Sequence, residues 1–552
     1  MRGSDLLVQS LVHAGVRYVF GMPGHTTLPI LDSISREPSI RFILAKHENT
    51  LVSMADGYAR VSLEPAVCMT HVGPSAANLV NGMGSAFRDS SSVIAITCNE
   101  DQSRLDRDAF NCWDQATPFR SVTKWSVQVR SAKDIPRIMR SAFVRSCLGR
   151  RGPVQVDMPL DVSAEELGEV PLVKKPPYGS YSSRARPNHD LTGKIAEQLL
   201  RASRPLILAG AGVNWSDASP ELAQLAELTG LPVAVTSGGR GAFPEDHPLF
   251  VGVPGRAGTR TGSEALKESD FVLAIGSRLS DYTTLGWTLI DPSATIVQVD
   301  IDPQEIARQY TVDIGVIADC KMFLGDLIQL IRSKAAHPAK SSPRAKALSE
   351  KLAAERQSFV DHDLNAIPVQ ARKVLKDIGD VIRRDAIVAV GAGRHTHLVG
   401  QQLQIHTPRC SVRPIGFGAM GFAFPASLGA KLARPDRQVI CLVGDGDFSM
   451  SMPDIETAAR EKINVVTVVL NDSSFSSVKL LQKREYGRNI GVDFTNTDFA
   501  HFAEKCGARG FRVERPEQFR PALEAALGEN RPCVIDVQVD QAEKTGSGVF
   551  SK

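Results

Sequence analysis

The sequence predicts an α/β protein of three doubly wound parallel-sheet domains, and three observations carry that reading. The chain has 552 residues, more than a single hydrophobic core organises. Short apolar runs recur along it, each ending in a polar or glycine-bearing turn and followed by a helical pattern, which is the rhythm of βα units. Two polar stretches without that rhythm, Val170–Pro187 and Ser333–Arg356, read as linkers, the second carrying a helix.

Met1–Val16 reads as an amphipathic helix with no long apolar centre before a cleavage site, so no signal peptide is expected. In residues 1–165 the runs Val16–Phe20, Arg41–Ala45, Ala66–Thr70, Val93–Thr97 and Val154–Val156 read as strands of a first sheet. In residues 190–335 the runs Pro205–Ala209, Pro232–Val235, Phe271–Ile275 and Thr295–Val299 build a second. In residues 370–552 the runs Ile387–Val390, Gln438–Val443 and Val465–Leu470 belong to a third. The first and third units share a size and a strand–helix rhythm, which is compatible with an old duplication.

Composition excludes several classes. A net charge of +3 on this length is close to neutral, no basic block occurs, and aromatics make up only 6%, so no nucleic-acid partner is expected. No stretch is long and apolar enough to span a bilayer, so no membrane association is expected. The nine cysteines are scattered and form no CxxC pair. They read as free thiols of a protein from a reducing compartment, and a cytoplasmic location is expected.

The most chemical stretch is Gly444-Asp445-Gly446, which ends the run Gln438–Val443, with Asn471-Asp472 at the end of the next. Two parallel strands joined by a helix deliver both loops to the same carboxyl edge of a sheet, where ligands of open α/β folds sit. Glycines on either side of Asp445 let backbone approach a phosphate closely, and a following helix adds positive dipole. Two hard oxygen ligands with room for phosphate oxygens is how proteins hold Mg²⁺, so the pair marks a place for a metal-bridged diphosphate. Taken alone, a Gly-Asp-Gly is also an ordinary strand-end turn.

With these segments on the page, the chain resembles the acetolactate synthase, pyruvate oxidase and benzoylformate decarboxylase group of thiamine-diphosphate enzymes. The segments GVRYVFGMPGHTTLPILD, KHENTLVSMADGYAR and GPSAANLVNGMGSAFRDSSSVIAITC are similar to its pyrimidine-binding domain. GGRGAFPEDHPLFVG and VDIDPQEIA are similar to its central Rossmann-like domain, and FGAMGFAFPASLGAKLARPDRQVICLVGDGDF to its diphosphate-binding domain. The resemblance implies thiamine diphosphate and Mg²⁺ as cofactors, with Asp445, Asp472 and Ser474 on the metal and Gly444, Gly446, Asp447 and Asn471 beside the diphosphate. It implies Glu48 as the carboxyl that activates the pyrimidine ring, a residue that on its own reads equally as the first of a helix. Met420 becomes the wedge that bends the cofactor and Gly418 a pyrimidine contact, although a Met in an apolar stretch is usually core. Gly391 and His395 match the loop that touches the diphosphate, and His395 alone could equally start a helix. The family's sites lie between subunits, so a homodimer or homotetramer is expected.

The chain also departs from the family. The pair is Asn-Asp where Asn-Asn is usual, and Asp447 stands where a small residue is usual. His71 matches a histidine of benzoylformate decarboxylase that faces the substrate, and His25 stands where synthases have Gly; both are candidate catalytic residues. Asn111 and Leu481 replace a usual Gln and Trp of acetolactate synthases. The resemblance therefore implies a C–C lyase or ligase acting on a small 2-oxo acid, by decarboxylation, carboligation or both. Two alternatives stay open, a flavin-linked 2-oxo acid oxidase and a non-catalytic cofactor-binding subunit. FAD in the central domain is left open too: Gly252–Gly255 resembles a flavin-facing loop, while Gly276–Asp281 lacks the usual aromatic.

Overall fold

The computed structural model describes residues 1–168, 184–334, 342–361, 363–541 and 543. Residues 170–183 of the first expected linker and 335–341 of the second lie outside the described residues; the helix expected in the second is Pro343–Val360, which runs past its end.

Three sheets form, and every pairing within them is parallel. The first takes β1 (Tyr18–Gly21), β2 (Arg41–Leu44), β3 (Ala66–Thr70), β4 (Val93–Asn99), β5 (Trp125–Gln128) and β6 (Val154–Pro159) in the order β2-β1-β3-β4-β6-β5. The second takes β7 (Pro205–Ala209), β8 (Val233–Val235), β9 (Phe271–Ile275), β10 (Thr295–Asp300) and β11 (Ile314–Ile317) in the order β11-β10-β9-β7-β8. The third takes β12 (Ile387–Val390), β13 (Ser411–Val412), β14 (Val439–Gly444), β15 (Val466–Asn471), β16 (Arg509–Val513) and β17 (Cys533–Gln538) in the order β13-β12-β14-β15-β17-β16. Counted from its own first strand, the third sheet repeats the order of the first. Parallel sheets need both faces covered, and β3, β4, β7 and β9 are accordingly buried along their whole length.

The strands absent from the sequence reading are instructive. β5, β11, β13 and β16 lie at sheet edges. Three of them are only partly buried, so their sequences lack a continuous apolar run. β17 is interior, but Asp536 interrupts its apolar pattern.

A helix crossing ties the first domain to the third, alongside polar contacts such as Arg41 with Glu461 and Lys46 with Asp454. The helix Glu48–Ser62 crosses the helix Ala423–Ala433 backbone to backbone. A Cβ on Gly57 would stand 2.0 Å from the Ala426 carbonyl oxygen, and one on Gly429 would stand 1.8 Å from that of Met54. Only glycine permits such an approach. Beside the crossing, the half-buried Arg60 guanidinium pairs with Asp56 and Asp89 and donates to the Arg413 carbonyl. The apolar cores of the two domains are continuous there, while the central domain keeps its own. Among the described residues no helix is long and apolar enough to cross a membrane.

Candidate active site

Strands β14 and β15 are neighbours, with Gly444 in register with Leu470, so Asp445 and Asp472 leave the sheet at one edge. The short helical turn Asp445–Phe448 starts immediately. Asp445 is fixed by the backbone amides of Gly446 (2.8 Å) and Ser473 (2.6 Å) and by the Asn496 amide (2.6 Å). Asn496 also reaches the Asn471 oxygen at 2.7 Å, joining both loops. Asp472 accepts from the Ser474 amide (3.1 Å) and hydroxyl (3.0 Å) and from the Ser476 hydroxyl. Burial, with the Asp472 charge beside it, lifts Asp445 to about 6.

A carboxyl whose ionisation is opposed by burial and by a neighbouring Asp is suited to a divalent cation. Among the described residues no group of three or more His, Cys, Asp or Glu could hold a metal by itself. A cation here would need oxygens from a ligand, which is the Mg²⁺-diphosphate arrangement. The residues therefore fit the pair. Both carboxylates, with Ser474, line a cavity of about 380 Å³ shared with the Gly391–His395 loop, Gly418 and Met420.

The walls of that cavity follow from local packing. Asp447 is buried, and one of its oxygens accepts the Gly421 amide. The other lies 1.8 Å from where a Cβ on Gly391 would stand, so Gly391 is the residue that lets Asp447 in. The carboxyl is thus turned onto the Gly391 and Gly421 backbones, and burial lifts it to about 7. His395 folds its ring back so that Nε2 donates to the Gly391 carbonyl at 3.1 Å. Burial, then Arg413, lowers it to about 4, so the ring is neutral with a lone pair on Nδ1. Gly418 and Gly421 take left-handed backbone (φ +72° and +76°) on either side of Met420, which is half-buried.

A second cluster forms in the first domain. Glu48 begins the helix Glu48–Ser62 and is buried; Ser75 donates to one oxygen (2.5 Å) and Asn78 to the other (2.9 Å). His71, just past β3, has Nδ1 at 3.0 Å from the Thr26 hydroxyl, and burial, then His25, holds it below the ordinary imidazole value. The His25 ring meets it edge-on at 4.7 Å. His25 Nε2 lies 2.6 Å from Glu100, a buried carboxyl that Arg104 also reaches at 2.7 Å. The sequence reading missed Glu100 and Asn496. An acid closing the run Val93–Thr97 beside the His71 strand was the available signal for the first; nothing local marks the second.

The structure thus brings Glu48, His25 and His71 together, and Asp445, Asp472, Ser474, His395 and Met420 together. It does not bring the two clusters into one cavity of this chain, because no member of the first lines the Asp445 cavity.

A further cavity of about 220 Å³ lies between the central domain, at Gly212, Gly276, Arg278 and Asp300, and the first domain, at Asp89 and Arg150. Gly252 and Gly255 do not line it. Burial lifts Asp300 to about 6.

Fold and sites together define a three-domain α/β protein that presents a cleft with two carboxyls at one sheet edge and a buried carboxyl with two imidazoles at another. Sequence comparison agrees with that class along the chain. Residues 1–117 match the "Thiamine pyrophosphate enzyme, N-terminal TPP binding domain", 192–327 the central domain and 391–537 the C-terminal TPP binding domain. The chain is 34% identical to a probable acetolactate synthase large subunit of Methanocaldococcus jannaschii, covering 98% of this chain and 93% of that one. It is 30% identical to the acetolactate synthase isozyme 3 large subunit of Escherichia coli, over 98% and 96%, and 34% identical to the acetolactate synthase large subunit of Corynebacterium glutamicum, over 98% and 87%. The chain belongs to the thiamine pyrophosphate enzyme family.

Proposed function

We propose that this chain is a thiamine-diphosphate- and Mg²⁺-dependent lyase or ligase of carbon–carbon bonds, acting on a 2-oxo acid. The observation that carries the reading is the placement of Asp445 and Asp472 at adjacent strand ends over one cavity. When bound, the cofactor supplies an electron sink for the loss of CO₂. Asp445, Asp472 and Ser474 hold the cation, and Gly444, Gly446 and Asn471 leave room for the diphosphate. His395 Nδ1 becomes a donor to the diphosphate on taking a proton, which the anion favours. Gly418 and Met420 hold and bend the pyrimidine end. Glu48, oriented by Ser75 and Asn78, takes the pyrimidine ring nitrogen, and His25 and His71 face the substrate.

One site then needs Glu48 of one chain and Asp445 of another, so the working unit is at least a homodimer. Exposed apolar side chains beside the site loops support this: Phe110, Phe417, Met450 and Ile490 are each at least half exposed in the single chain. Asn111 and Leu481, in place of the usual Gln and Trp, favour an acceptor pocket unlike that of a biosynthetic acetolactate synthase. The nine free thiols fit a cytoplasmic protein.

The central-domain cavity supports a second reading, a flavin-linked oxidase of the same acids. The test of both is a panel of 2-oxo acids followed for CO₂ release, with and without aldehyde acceptors. Release of CO₂ by colourless protein supports the first reading. A yellow protein that bleaches on substrate supports the second, and no CO₂ from any acid overturns both.

A further inference from the structure

Three loops meet at the Asp445 cavity, and one side chain joins them. The turn Asp445–Phe448 follows β14, Gly391–His395 follows β12, and Gly418–Gly421 carries Met420. Asp447 stands where the three converge and is 3% exposed. Among the described residues no cation pairs with it. Burying a carboxyl without a cation is costly unless backbone donors offset the loss of water. Its donors come from the two neighbouring loops: one oxygen accepts the Gly421 amide, and the other is held by the Ala392 amide. Gly391 leaves the room on one side, since a Cβ there would stand 1.8 Å from Asp447 Oδ2. On the other side Met450 Cβ lies 3.1 Å from where a Cβ on Gly421 would stand. The Met420 loop is pinned further back as well, by the Gly418 amide on the Pro414 carbonyl and the Gly416 amide on Asp89, each at 2.7 Å. Gly421 is the pin next to Met420 itself, and its acceptor is Asp447.

We propose that Asp447 is the positioning residue of Met420: its carboxyl oxygen holds the Gly421 amide, and through it the stretch of backbone that sets the Met420 side chain at the cavity wall. This rests on the functional reading above, in which Met420 bends the pyrimidine end of the cofactor. It gives Asp447 a place other than the diphosphate contact expected from the sequence. Its oxygens are turned onto two amides, and a carboxylate facing a diphosphate would be repelled. Met420 needs such a brace because it stands between two glycines in left-handed backbone, Gly418 at φ +72° and Gly421 at φ +76°, whose conformations a glycine leaves easily. A small residue at position 447 has no acceptor that spans both amides. Asp445 and Asp447 also lie on one helical turn, closed by the Ser449 amide on the Asp445 carbonyl at 2.9 Å. The residue for the cation and the residue that braces Met420 therefore share one element.

The test first reads the backbone, in full-length protein free of cofactor and metal. Amide hydrogen–deuterium exchange is followed by mass spectrometry over peptides covering Gly421 and Ala392. In Asp447→Ala the Gly421 amide is expected to exchange about tenfold faster than in wild type, the scale of one lost hydrogen bond. Peptides of β14 and β15 are expected to keep wild-type exchange, which shows that the variant folds. Asp447→Asn, which keeps one acceptor, is expected to recover part of the protection. The second reading is hydrogen–deuterium exchange at C2 of thiamine diphosphate bound with Mg²⁺. Asp447→Ala is expected to lower it about tenfold to a hundredfold, as misplacement of a reacting group does, without weakening cofactor affinity in calorimetry. In a Met420→Ala background the same substitution is expected to lower it no further. Where Asp447→Ala does not fold, Asp447→Ser carries the same readings. Wild-type exchange at Gly421 in the variant, or a full further loss at C2 on top of Met420→Ala, overturns the proposal while the functional reading stands. Weakened cofactor affinity with C2 exchange intact also overturns it, because Asp447 would then be a diphosphate contact. Wild-type protein that neither binds thiamine diphosphate nor exchanges its C2 hydrogen overturns the functional reading and this role with it.

Discussion

Glu48 has two neutral donors, Ser75 and Asn78, and no cation against it among its hydrogen-bond partners. That is the setting of a carboxyl meant to share a proton with a ligand rather than to close an ion pair. Glu48→Gln keeps the shape and loses the exchangeable proton. Exchange at C2 of bound cofactor is expected to fall by about a hundredfold or more, with cofactor affinity little changed, as read by NMR of quenched samples. Exchange near the wild-type rate would remove Glu48 from the mechanism. Asp445→Ala should behave oppositely, weakening thiamine-diphosphate binding by more than about tenfold in calorimetry, and chelation of Mg²⁺ should do the same to the wild type. Unaltered affinity in Asp445→Ala would sink the metal assignment. The residues legible in the sequence were those whose neighbours in the chain carry the signal, such as glycines around Asp445 and Met420. Glu100 and Asn496 were not, because their partners lie 75 and 51 residues away.

At the scale of elements, strand ends do the positioning, and a helix crossing, with ion pairs such as Arg41–Glu461 beside it, does the joining. Interior strands were readable because both faces are covered and the run is apolar. Edge strands such as β5 and β16 were not, because solvent on one side permits polar residues. The crossing of Glu48–Ser62 with Ala423–Ala433 was invisible for another reason: Gly57 and Gly429 look like ordinary helix interruptions until the partner helix is known. Gly429→Ala puts a methyl group onto the Met54 carbonyl and is expected to cost about 1–3 kcal/mol in urea unfolding. No loss would mean the helices separate freely. Asp300, at the end of β10, tests burial of a charge. Burial first, then the Glu305 and Asp302 charges, raises it to about 6, against about 4 in an unfolded chain, while the Asp302 backbone amide and then Arg150 pull the other way. The folded state binds the extra proton between those values, so this contribution is complete below pH ~4 and is lost as pH rises through about 6. Asp300→Asn should therefore gain stability over wild type between pH 5 and pH 7.5, by about 1–3 kcal/mol in paired denaturation curves. A difference that shrinks over that range would contradict the assignment.

At the scale of the molecule, the first and third sheets share one strand order, 2-1-3-4-6-5 in each domain's own count. On the proposed function, the two domains of shared architecture carry the two halves of the chemistry, each presenting its residues at strand ends. The shared rhythm was legible in the sequence; the shared order was not, since edge strands were missing from it. The separation of Glu48 from the Asp445 cavity gives the halves their test. Glu48→Gln and Asp445→Ala proteins, each inactive, are mixed, dissociated and allowed to reassemble with thiamine diphosphate and Mg²⁺. Random pairing in a dimer places one intact site in each mixed pair, so about a quarter of wild-type CO₂ release should return. No recovery after demonstrated exchange of subunits, or a wild-type monomer that keeps its activity at high dilution, would contradict the account.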